Sequence, residues 1–133
     1  MELVALLSIG QGTWGQVAGL INRHDWDNII LLGSSFAEKF TCEKKHEFIR
    51  IDTDKRISEL KEEIIEKLQG KIKGMEVALS IASGDGKEHM ALVSALISLP
   101  VGVRFVALTQ EGILDLTKQG RALLEKETGA TFL

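Results

Sequence analysis

Scarcity is the first feature of this 133-residue chain: one cysteine, one proline, no tyrosine and an aromatic content of 5%. The lone Cys42 excludes an intramolecular disulfide framework and a multi-cysteine zinc site. A free thiol points to a reducing, cytoplasmic setting, with an interchain disulfide the alternative. No apolar run reaches the roughly 18 residues that a membrane span requires, so no membrane partner is expected. A signal peptide is not expected either: the run from Met1 to Ile9 is apolar, but Glu2 replaces the basic start and no cleavage-like stretch follows. The net charge of −3, from 16 basic and 19 acidic residues, argues against a generic surface for duplex nucleic acid and leaves room only for a small basic pocket. No repeat, low-complexity tract or linker divides the chain. Its length suits one domain, able to bury roughly 68% of its unfolded surface without staples.

What is present is an apolar periodicity that switches repeatedly between strand and helix. Leu3 to Ile9 is nearly continuous, as in a strand covered on both faces. Thr13 to His24 carries Val17, Leu20 and Ile21 at helical spacing. Asn28 to Leu32 reads as a second buried strand ended by Gly33-Ser34-Ser35, with a short helical turn over Phe36 to Phe40. A third strand is expected near His46 to Asp52. Ile57, Leu60, Ile64 and Leu68 then give one apolar helix face, with glutamates and Lys67 opposite. Val77, Leu79 and Ile81 mark a fourth strand, stopped by Ser83-Gly84-Asp85-Gly86. A helix from Lys87 to Leu99, closed by Pro100, leads to a fifth strand over Val101 to Leu108. Ile113, Leu114 and Leu116 fit either a short strand or the start of a helix carrying Leu123 and Leu124. The alternation predicts an α/β fold, a Rossmann-like three-layer sandwich with a mostly parallel sheet of five or six strands.

In open parallel sheets ligands bind outside the carboxyl ends of the strands, and two turns expected there are rich in glycine. Gly10-Gln11-Gly12-Thr13-Trp14-Gly15 matches G-x-G-x-x-G between a strand and a helix. Glycine lets backbone N–H groups approach a phosphate, and the helix start adds favourable potential; the ordinary alternative is a tight turn without a ligand. A nicotinamide dinucleotide would also bring an acidic residue to the end of the second strand. Gly33-Ser34-Ser35 stands there instead; the two serines could accept a 2′-phosphate but no arginine is expected beside them, so an NADP-like dinucleotide is the secondary expectation. The second turn, Ser83-Gly84-Asp85-Gly86-Lys87, offers open backbone, a hydroxyl and a cation. A lysine at a helix start opposes the helix dipole, a cost that an anionic ligand would offset. A solvated lysine after an Asp-Gly turn, contributing little to folding, explains it equally.

The run from Val77 to Leu99 resembles the fourth strand and following helix of CARF domains, the CRISPR-associated Rossmann-like sensors, which commonly carry a Gly-Gly-Thr-Lys turn followed by a methionine and small residues. Gly84 and Lys87 match; Asp85 replaces the second glycine, Gly86 replaces the threonine, and Met90 falls one residue late. The turn with Thr13 and Trp14 is similar to the family's other ligand loop. The resemblance implies a cyclic oligoadenylate, or a similar nucleotide, bound across the twofold axis of a homodimer, over Gly10, Gln11, Gly12, Thr13, Trp14, Ser83, Gly84, Asp85, Gly86 and Lys87. It further implies that cleavage of the ring without metal, by a ribose 2′-hydroxyl on its neighbouring phosphate, is an activity to test for. No catalytic residue is assigned, and no bound cofactor is expected.

Other residues carry weaker readings. His24, His46 and His89 lack ligand spacing with cysteine or acidic residues, so no metal site is expected. His89, near the second turn, is a candidate contact or proton donor, and Asp85 is either a base or a turn former. Glu43 beside Cys42 disfavours a thiolate. Trp14 could stack on a base or pack the first helix. The apolar helix from Met90 to Leu99 offers surface for a homodimer, the commonest symmetric assembly.

Overall fold

The computed structural model describes residues 1–10 and 12–118. Six strands and three α-helices follow one another as β1 (Glu2–Leu7), α1 (Trp14–Arg23), β2 (Asn28–Gly33), a 3₁₀ turn (Ser35–Lys39), β3 (Glu47–Arg50), α2 (Ile57–Leu68), β4 (Glu76–Ser80), α3 (Gly86–Ser98), β5 (Gly102–Thr109) and β6 (Gly112–Asp115). The sheet order is β3-β2-β1-β4-β5-β6. The first five strands are parallel, and β6 returns antiparallel to β5. The α/β class and the mostly parallel sheet are therefore as expected, with six strands.

The continuous apolar run of β1 has its cause in the layers. All six of its residues are buried, because period-two alternation feeds two cores at once. Val4 and Leu6 face α2 and α3, together with Ile30, Leu32 and Leu79. Leu3, Ala5 and Leu7 face α1 and the 3₁₀ turn, together with Ile29 and Leu31. Leu60, Ile64 and Leu68 are fully buried on α2, and truncating any one to alanine should cost about 2–5 kcal/mol. Ile57, expected on the same face, is instead exposed at the helix start.

Most element limits shift by a residue or two; the end of β1 shifts with a visible cause, and the segment after Thr109, which the sequence left open between strand and helix, is resolved. β1 ends at Leu7 rather than Ile9, and Ile9 stands 58% exposed beyond the sheet. The apolar group after Thr109 is a strand and not a helix start: Gly112 takes φ +115°, which turns β5 back into β6. That hairpin is held by Arg104, whose guanidinium donates to Glu76 at 2.9 Å and to the buried Asp115 at 2.8 Å. Burial would raise the Asp115 carboxyl, but Arg104 and the Thr117 amide hold it below the usual range. The helix expected around Leu123 and Leu124 lies outside the described residues. Among the described residues no helix is long and apolar enough to cross a membrane.

Candidate functional site

Strand order reverses direction between β1 and β4, because β1 connects outward to β2 and β3 while β4 connects to β5 on the other side. Crossover segments thus leave the sheet in opposite directions at the carboxyl ends of these two neighbours, the kind of switch point at which open α/β sheets bind ligands. Both glycine turns arrive at that point. They are joined directly: the Ser8 amide after β1 donates to Ser83 Oγ after β4 at 2.7 Å, and Ser83 is buried.

The two turns differ in how far they satisfy themselves. In the first, Ser8 Oγ donates to the Gly10 carbonyl at 2.6 Å, and the Trp14 indole N–H reaches the Ser8 carbonyl at 3.3 Å. Thr13 stands at the N-cap of α1 without a side-chain cap hydrogen bond, and the first turn of α1 holds no acidic residue. The positive end of that helix is left without a carboxylate of its own. A Cβ added at Gly10, Gly12 or Gly15 would meet nothing within 4 Å, so no neighbour in the fold requires glycine there. Gln11 lies outside the described residues. In the NAD fingerprint the third glycine allows close helix–strand packing. Here that close approach falls at Gly19, against Leu108, and not at Gly15.

The second turn closes on itself. Asp85 caps α3 by accepting from the Glu88 amide at 2.8 Å, and Glu88 Oε1 accepts the Asp85 amide at 3.0 Å. This reciprocal capping box makes Asp85 a helix cap, and burial pushes the Glu88 carboxyl above its usual range despite the Asp85 amide. The pattern Asp-x-x-Glu was readable in the sequence, which identified only the turn. Gly84 takes φ +103°, and a Cβ there would meet Glu88 and His89; glycine is required by the backbone itself. Gly86 opens α3 with nothing near it. His89 Nε2 lies 2.9 Å from the Ser83 carbonyl. A carbonyl only accepts, so Nε2 carries the proton and Nδ1 is the remaining ring nitrogen.

Lys87 is where the structure departs most from the sequence reading. Rather than a solvated lysine, it is half-buried and crosses to the β3–α2 loop, donating to the Thr53 carbonyl at 2.7 Å and to the Lys55 carbonyl at 2.8 Å. An ammonium has three N–H donors, so one remains for a ligand oxygen. Trp14 packs with Phe36 and Phe40, at ring separations of 5.9 and 5.7 Å, and leans on the α1-side core. The Cys42 thiol is pushed up by burial; His46 Nδ1 lies 3.2 Å from it but 2.9 Å from the Lys44 carbonyl, so that nitrogen carries a proton and does not take the thiol's.

One group escaped the sequence reading. Parallel pairing of β2 with β3 sets Gly33 opposite Arg50, which places Arg50 in one cleft with Ser34 and Ser35. No local pattern signals this, because it depends on strand register across 17 positions. Among the described residues no three His, Cys, Asp or Glu side chains gather as a metal site. Compared with known proteins, the chain matches no family model and no curated protein.

Proposed function

We propose that this domain binds a phosphate-bearing nucleotide over the carboxyl edge of β1 and β4, and that the ligand is a cyclic oligoadenylate or a close relative, held in a CARF-like homodimeric sensor. The observation that carries the reading is the start of α1 at the strand-order switch, which has neither a side-chain cap nor an acidic residue in its first turn. Open glycine backbone and an uncapped α1 start lie beside a second turn anchored through Ser8 and Ser83. Backbone amides at a helix start favour an anion, and the third Lys87 proton adds a charge-assisted donor. The resemblance to CARF domains supplies the cyclic oligoadenylate and the twofold arrangement. On α3, Met90 and Ile97 are each 64% exposed on a common outward stripe, which supports an apolar contact between protomers.

Calorimetry with cyclic tri-, tetra- and hexa-adenylate tests the binding, with a dissociation constant in the micromolar range or tighter expected for one ring size. Absence of both heat and thermal shift with all three discards the reading. Incubating the bound ring in EDTA separates sensor from enzyme: an intact ring after prolonged incubation removes the metal-independent phosphodiesterase.

An NADP-like dinucleotide is the second reading, and Arg50 beside Ser34 and Ser35 favours it by providing a cation for a 2′-phosphate. Against it stand the open space at Gly15 and the carboxylates of Asp52, Asp54 and Glu63 in the same cleft. A thermal shift with NADP that cyclic oligoadenylates do not produce would make it the better account.

A further inference from the structure

The loop between β3 and α2 is held from two sides. Its own helix grips it first: Lys67 donates to the Arg50 carbonyl at 2.6 Å, and Glu63 accepts the Asp52 amide at 3.3 Å. The second grip comes from across the fold, where the Lys87 ammonium, in the first turn of α3, takes the Thr53 and Lys55 carbonyls. Among the described residues these two are the hydrogen bonds that join the second glycine turn to the loop.

Two carbonyls two residues apart converge on one ammonium only where the chain between them bends. Asp52 supplies the bend. Its Oδ1 accepts the Asp54 amide at 3.0 Å, and its carbonyl accepts the Lys55 amide at 3.2 Å, so a side-chain turn is nested in a backbone turn. The loop then hands over to α2, where the Arg56 amide donates to Glu59 at 3.3 Å. Residues 56–59, the start of that helix, are all exposed.

An ammonium fixed by two carbonyls has the direction of its remaining N–H set as well. Fixing the long stem of a lysine costs rotamer entropy. A ligand oxygen that meets a stem already fixed by the loop does not incur that cost again, and a stem fixed by the ligand holds the loop carbonyls more firmly. By linkage the two effects are one factor, read from either end. We infer that loop 52–55 is a positioning clamp for Lys87: it aims the remaining N–H at the ligand, is tightened by occupancy, and so transmits binding to the exposed start of α2; it rests on the nucleotide reading above. Asp52 is then a positioning residue, acting on the ligand only through Lys87.

The experiment is amide hydrogen exchange by NMR on wild type, Lys87→Met, Asp52→Ala and Asp52→Asn, with the β1 amides as the reference for global opening. Each protein is measured free and saturated with the tightest binder among cyclic tri-, tetra- and hexa-adenylate. Without ligand, the Asp54 and Lys55 amides should exchange about tenfold or more faster in Lys87→Met than in wild type. With ligand they should slow about fivefold or more in wild type and stay unchanged in Lys87→Met. Asp52→Ala should bind the ring about threefold to fivefold more weakly, although it lies in neither turn, and Asp52→Asn, which keeps the Oδ1 acceptor, should restore wild-type affinity. Loop amides that exchange alike in wild type and Lys87→Met, or slow equally in both on saturation, overturn the clamp, and so does wild-type affinity in Asp52→Ala. Ligand-induced shifts at Gly12, Gly84 and Gly86 with unchanged loop exchange remove the clamp and retain the nucleotide reading. Absence of heat with all three rings, against a loop that Lys87→Met does loosen, removes the nucleotide reading and the coupling with it, and leaves Lys87 a structural bridge alone.

Discussion

Replacing Lys87 with alanine should destabilise the fold, and the size of the effect follows from what its ammonium touches. Two N–H groups donate to the Thr53 and Lys55 carbonyls at 2.7 and 2.8 Å. A hydrogen bond from a charged donor contributes about 1.5–3 kcal/mol. Because the side chain is only half-buried and the freed carbonyls regain water, the pair together is assigned that range rather than twice it. Lys87 also sits in the first turn of α3, where a cation opposes the helix dipole by about 0.3–1 kcal/mol, and alanine recovers that amount. The net loss is about 0.5–2.7 kcal/mol, which for a domain of this length corresponds to roughly 2–10 °C in melting temperature. Urea and thermal unfolding of Lys87→Ala measure it. Lys87→Met keeps the aliphatic stem and should fall by nearly as much, while the exposed Lys118→Ala should not move. A shift under about 2 °C in Lys87→Ala, no greater than that of Lys118→Ala, would refute the bridging role. Calorimetry on the same variant should show roughly 10- to 150-fold weaker binding of the favoured cyclic oligoadenylate, from loss of the third donor.

Gly12→Asp should fold within about 0.5 kcal/mol of wild type, because a Cβ there meets nothing within 4 Å. The same variant should bind cyclic tetra-adenylate at least about tenfold more weakly through charge repulsion; undiminished affinity by calorimetry counts against the first turn. Ile97→Lys combined with Met90→Lys should convert a wild-type dimer into a monomer in light scattering, and a wild-type monomer at micromolar concentration, with and without ligand, refutes the α3 interface. Glu2 is buried, an effect that alone would raise its carboxyl, yet the Gly74 and Lys73 amides and Asn28 hold it below its ordinary value of 4.5. Its folded-state pKa is depressed, so its stabilisation is full above about pH 4.5 and is lost as pH falls through the lower folded value. Glu2→Gln should therefore be less stable than wild type at neutral pH in urea titrations, and the gap should shrink on acidification below about pH 4.5. A gap that stays constant from neutrality to acid contradicts that account.

The fold was legible wherever burial imposes one period on a whole element. β1 shows it: a strand covered on both faces must be apolar at every position, and Leu3 to Leu7 are. The segment from Ile113 to Leu116 shows the limit, since three apolar residues in four positions fit either period. What decides for a strand is the positive φ at Gly112 and the partner that β5 offers. The candidate site divides the same way. Glycine turns announce themselves locally, and so does the Asp85–Glu88 cap. The Lys87 bridge joins residues 32 and 34 positions apart, and Arg50 meets Gly33 only through strand register. No local spacing encodes either, because both depend on how the strands were ordered after the chain collapsed.

The two ends of β1 differ in a way that bears on competition among anions. At the amino end the chain brings its own carboxylate: Glu2 fills the amides of Lys73 and Gly74 at 2.8 to 3.0 Å, the kind of backbone cradle that otherwise collects free anions. That end is an occupied receptacle with a tethered occupant. At the carboxyl end, among the described residues, the start of α1 has no side-chain cap and its first turn brings no carboxylate. The same strand thus carries a built-in carboxylate at its amino terminus, while the helix that follows its carboxyl terminus starts without one. On the proposed nucleotide reading, free phosphate would compete at the glycine turns and not at the Glu2 end, and a ligand engaging several amides at once would outcompete it there by avidity.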